Sequence, residues 1–105
     1  MNVCILSGRL SQPGVVRGTE TKVLAFTLET KSGGNNGEKN ERTALVPCVM
    51  FNPPPKLEGL LTSSDGDVCI ELQGRVETSS FEARGERHER TEVIVFNKTV
   101  AVVKP

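Results

Sequence analysis

From Val68 to Val76 apolar and polar residues alternate without a break: Val68, Ile70, Leu72, Gly74 and Val76 stand against Cys69, Glu71, Gln73 and Arg75. A period of two puts one set on each face of an extended chain, the pattern of a half-buried β-strand. The same period recurs at Leu24, Phe26 and Leu28, and again at Val46, Cys48 and Met50. Val3 to Leu10 reads as an opening strand, apolar on both faces at Cys4-Ile5-Leu6. Thr91 to Phe96, continuing through Thr99 to Val103, reads as the last. This gives about five strands, rich in Val, Ile, Thr and Phe.

The separators carry turn chemistry. Pro13-Gly14 follows the first strand, and this dipeptide marks a turn. Lys31 to Glu41 is polar throughout, contains Gly33, Gly34 and Gly37, and predicts a long hairpin loop. Glu82 to Arg87 predicts a shorter polar hairpin with Gly85 near its tip. Asn52 to Asp65 is the one candidate helix. Pro53-Pro54-Pro55 blocks an early start and Gly59 weakens the middle, so one or two turns are expected. A chain of 105 residues with no internal repeat is one domain with one modest core. The expected fold is all-β: a five-stranded, closed or part-closed Greek-key barrel with long hairpin loops. At most one short helix falls between strands three and four, the element order of the oligonucleotide/oligosaccharide-binding (OB) fold. A five-stranded sandwich is the alternative.

Composition narrows the function. Thirteen basic and thirteen acidic residues give zero net charge, which argues against a basic-tail polyanion binder but allows a local basic patch. No apolar run reaches the ~20 residues of a membrane span. Met1-Asn2-Val3-Cys4 does not begin a signal peptide, so the cytoplasm is the expected compartment and no membrane partner is expected. The three cysteines, Cys4, Cys48 and Cys69, each lie in an apolar stretch and lack the close pairing of a zinc site. They read as reduced core or half-buried residues, and neither metal nor cofactor is expected. The one histidine, His88, sits in Arg87-His88-Glu89-Arg90 with no marked nucleophile nearby. It reads as solvent-facing or phosphate-near, and the chain as no enzyme.

Asn2-Val3-Cys4-Ile5-Leu6-Ser7-Gly8-Arg9-Leu10 resembles the opening strand of bacterial single-stranded DNA-binding proteins: an Asn, alternating aliphatics, then Gly-x-Leu. Pro13 to Arg17 is similar to the turn that follows it there, and Val23 to Leu28 to the second strand. Thr43 to Phe51 is similar to the third, Asp67 to Val76 to the fourth, and Thr91 to Val95 to the signature of the fifth. The ordered match covers nearly the whole chain.

The resemblance implies an OB-fold that binds single-stranded DNA without reading sequence, in replication, recombination and repair, as a homotetramer or a dimer. It implies that bases stack on side chains at three carried-over positions. These are Leu45, where the family often has Trp, Phe51 at the end of the third strand, and Phe81 at the opening of the last hairpin. The helix segment departs from the family in its prolines. The sequence stops at Val103-Lys104-Pro105 without the family's acidic tip: either a tail belongs to a longer chain or this is a standalone OB protein, and tail-mediated partners are expected only in the first case. A primosomal-type OB dimer and an OB-fold protein-interaction module are the competing readings.

The residues supply the two things such binding needs, apolar faces for bases and cations for phosphates. There is no Trp and no Tyr. Of four Phe, Phe26 follows the core period, Phe96 follows Ile94 into core or interface, Phe51 fits either core or platform, and Phe81 has no apolar neighbours. Lys31, Lys39 and Arg42 bracket the first hairpin, and Arg84, Arg87 and Arg90 surround His88 in the second, with Lys56 in the helical segment. Glu38, Glu41, Glu82, Glu86 and Glu89 offer the competing reading, in which these cations are paired on solvated hairpins. The faces used by Arg9, Arg17, Lys22 and Arg75 stay open.

Overall fold

The computed structural model describes residues 1–33, 41–63 and 68–103. Its strands are β1 (Cys4–Leu10), β2 (Val15–Arg17), β3 (Val23–Gly33), β4 (Glu41–Phe51), β5 (Cys69–Ala83), β6 (Glu86–Val95) and β7 (Ala101–Val103). One helix, α1 (Pro55–Thr62), lies between β4 and β5. β3 pairs antiparallel with β4, and β5 with β6. β1 bridges the two hairpins, pairing with β5 along Cys4–Arg9 and with β3 at Arg9 and Leu10. A short parallel contact, Cys48 to Val93 and Val49 to Ile94, closes the ring β1-β3-β4-β6-β5. This is the OB-fold barrel that the element order predicts.

The alternation in the sequence becomes the core. Leu10, Leu24, Phe26, Leu28, Cys48, Met50, Ile70, Leu72, Val93 and Val95 point inward and are buried. Two glycines allow the ring to close. A Cβ on Gly8 would collide with the Glu29 carbonyl oxygen, and one on Gly74 with that of Ile94. Backbones can approach this closely only where there is no side chain. At the start of β1, the Asn2 side chain donates to the Val76 carbonyl at 2.7 Å and accepts from the Val76 N–H at 2.9 Å. It thus stands in for a further pair of ladder bonds.

α1 is the two-turn helix expected, with Pro55 at its first position, where a missing N–H costs nothing. Leu61 seals one end of the barrel, and its carbonyl accepts from the Gly14 N–H at 2.8 Å.

Four features differ from the sequence expectation. The second hairpin is tighter than the stretch from Glu82 to Arg87, with Gly85 at its tip as expected: β5 runs on to Ala83 and β6 begins at Glu86. Only Arg84 and Gly85 turn, both at positive φ (56° and 78°), as a two-residue type I′ hairpin requires. Strand pairing in the first hairpin likewise extends to Gly33 and Glu41. The last strand breaks at Asn97–Thr99, where side chains take over from the ladder. Asn97 donates to the Phe51 carbonyl at 2.7 Å, and Thr99 Oγ accepts from the Gln73 N–H at 2.9 Å. The chain then rejoins β5 lower down as β7. β2, pairing with β3, was not expected as a strand at all.

Candidate nucleic-acid interface

Because Leu24, Phe26, Cys48 and Met50 face inward, their neighbours on β3 and β4 face out. The register sets Val23 opposite Phe51, Ala25 opposite Val49, Thr27 opposite Pro47 and Glu29 opposite Leu45. The parallel contact sets Ile94 beside Val49, so Glu92, Arg90 and His88 follow along the outward side of β6. Phe81 on β5 lies across from His88. Leu45, Phe51, Phe81, His88 and Arg90 therefore share one outward surface. On it Leu45 is 63% exposed, Phe51 45% and Phe81 49%. The core reading open for Phe51 at the sequence level does not describe its position.

A groove of about 200 Å³ crosses this surface. Ala25, Thr27, Pro47 and Val49 form its floor, Val15 and Arg17 one wall, and Arg90 and Glu92 the other. Small side chains on the floor leave room for a planar group, and each wall carries a guanidinium. Such a site can stack rings and hold anions.

Phe81 lies beyond the barrel, on the ribbon formed by the upper halves of β5 and β6. No core holds this ribbon. Its backbone ladder is supported by cross-strand pairs: the Thr78 and Thr91 hydroxyls bond at 2.8 Å, and Arg87 donates to Ser80 Oγ at 3.3 Å. The Phe81 and His88 rings stack with centroids 5.4 Å apart.

The expected cations separate into groups. Arg84 sits in the turn, and Arg90 lies on the Phe81 side of the ribbon. Arg87 pairs opposite Glu82, and its bond to Ser80 places it on the other side. Among the described residues none of the three forms an ion pair with Glu82, Glu86 or Glu89. Lys31 alternates to the outward surface, whereas Arg42, opposite Ser32, falls on the reverse side. Lys39 lies outside the described residues. Lys56 is exposed in the first turn of α1, at the end of the barrel away from the hairpin turns.

Of the four cations left open, three have carboxylate partners: Arg9 with Glu29 at 3.4 Å, Lys22 with Glu58 at 3.4 Å and Arg75 with Glu77 at 2.8 Å. Arg17 forms no ion pair among the described residues and lines the groove. Sequence reasoning missed it because a three-residue strand is too short to show a period. Cys48, buried in the core, has its thiol pushed from 9.0 up to about 12, chiefly by burial. Cys4 and Cys69 are half-buried, and all three are free.

A model of the single-strand binding protein family matches residues 1–101. No curated protein matches the chain in sequence. Among solved structures, a chain from the Plasmodium falciparum SSB complex with ssDNA superposes with a TM-score of 0.73 at 18% identity, covering 98% of this chain and 93% of that one. At that identity the likeness is one of fold.

Proposed function

The chain belongs to the single-strand binding protein family, and from that premise we propose that it binds single-stranded DNA independently of sequence, without catalysis, covering strands exposed in replication, recombination and repair. The observation that carries this reading is the coincidence on one surface of two exposed Phe rings and two guanidinium groups, of Arg17 and Arg90, that form no ion pair among the described residues. Every base has a π-face, so stacking on Phe51 and Phe81 tolerates any sequence. Leu45 adds apolar area, and Arg17 and Arg90 reach phosphates on either side of the groove. The structural relative from Plasmodium falciparum is itself a complex with ssDNA.

Magnitudes point to assembly. Two stacking rings supply roughly 2–6 kcal/mol at about 1–3 per base, whereas nanomolar binding needs about 12 kcal/mol. Several copies on one strand close the gap, because linked sites multiply affinity. The docking edge for a second copy is β1: from Cys4 to Gly8 it pairs only with β5 among the described residues. Val3 (52%) and Ile5 (73%) are exposed beside it. A homotetramer is the expected state, with a dimer as the alternative.

Fluorescence anisotropy with a labelled oligo-dT at two salt concentrations tests the function. Sub-micromolar binding that weakens steeply with salt is expected. Affinity no better than millimolar at low salt sinks it. Light scattering reads the assembly, and a monomer contradicts the affinity argument.

A further inference from the structure

Phe81 does not present its ring alone. His88 lies directly across the ribbon, and the two rings stack with planes 23° from parallel. Both residues are exposed, so core packing does not force the contact. It is the one ring-on-ring contact among the described residues, and it falls on the platform.

A Phe on a ribbon wetted on both sides has several rotamers open to it, and each must be abandoned when a base arrives. A partner ring removes that freedom beforehand. We infer that His88 is a positioning residue for the platform: lying against one side of Phe81, it fixes the ring in the orientation whose other side meets a base. This rests on the proposed single-strand binding and deepens it by naming the residue that presents the ring. The rival role for His88 is a direct phosphate contact. Its surroundings suit that too, with Arg90 and Glu86 on the same side of β6 and Arg84 in the turn. The two roles differ in arithmetic. A phosphate contact acts independently of Phe81, whereas a positioning residue has no effect once Phe81 is gone.

The experiment is a double-mutant cycle read by anisotropy with fluorescein-labelled oligo-dT at pH 8 and fixed low salt. It uses the full chain, with thermal melts to show each variant folded. Phe81→Ala is expected to weaken binding by about 5- to 150-fold. His88→Ala should weaken it by about 2- to 10-fold, the range of an aromatic pair. The double variant should be no weaker than Phe81→Ala alone. His88→Phe, which keeps a ring and removes any charge, should restore wild-type affinity. The inference is overturned if the two losses multiply, if His88→Ala binds like the wild type, or if His88→Phe is as weak as His88→Ala. Wild-type binding that Phe81→Ala leaves unchanged also overturns it while leaving the function standing. No wild-type binding at all would sink the function, and the inference with it.

Discussion

The two halves of the β5–β6 hairpin share one continuous ladder and have opposite environments. From Cys69 to Gly74, β5 alternates between inward, buried residues and outward ones; from Arg75 to Glu82 every residue is exposed. β6 mirrors this, exposed from Glu86 to Thr91 and buried from Val93 to Val95. In the lower half each inward side chain is fixed by its neighbours. In the upper half residue choice is free of packing, and the positions carry Phe81, His88 and Arg90. Stability resides in one half and, on the function proposed above, recognition in the other, while the shared ladder holds the two in register.

Paired truncations on β5 are the strongest way to break this comparison. Leu72→Ala, in the core, should lower stability by about 2–5 kcal/mol in urea denaturation. Phe81→Ala should change stability by no more than about 0.5 kcal/mol while costing the strand-binding loss given above. Equal stability losses would mean that the ribbon is packed after all. Gly74→Ala tests the seam of the barrel. Its new Cβ would meet the Ile94 backbone, and a loss of about 1–3 kcal/mol is expected.

Cys48 sharpens the comparison through pH. Its folded-state thiol is raised to about 12 from 9.0, so the folded chain holds that proton more tightly than the unfolded one. The contribution is complete below pH 9 and is lost as pH climbs toward 12, by at most about 1.4 kcal/mol per unit. At pH 8 a thiol reagent should spare Cys48 until the protein unfolds, as read by mass spectrometry. Modification of the native core at that pH would contradict the burial.

Two small effects belong to exposed side chains. Arg17→Ala should reduce the slope of log affinity against log salt by about 0.7, the single-strand value for one phosphate contact. Thr78→Val, which breaks the hydroxyl pair to Thr91, should cost only about 0.2–1 kcal/mol.

The barrel was legible in the sequence because its inward residues had to alternate. Leu24, Phe26 and Leu28 and then Ile70 and Leu72 announce their strands unaided. The ribbon was not, because a strand with water on both sides carries no such period. Glu77 to Phe81 therefore lies outside every strand that the period marks. The interruption at Asn97–Thr99 rests on side-chain bonds to residues far away in the chain, Phe51 and Gln73, which local pattern does not contain. At the site, Phe81 stood out by its lack of apolar neighbours. The separation of Arg87 from Arg90 follows from alternation once this stretch is known to be a strand, whereas the meeting of Phe81 with His88 depends on cross-strand register, which needs the turn.

That turn has two residues, and its length acts as a gauge for everything beyond the barrel. Side chains alternate sides at every step, so one inserted residue beside Arg84 would slide one strand against the other by a single notch. The phenyl ring would then face arginine or glutamate in place of imidazole, with the composition of the hairpin almost unchanged. On the function proposed above, the spacing of the tip is as much a part of the binding surface as any group on it.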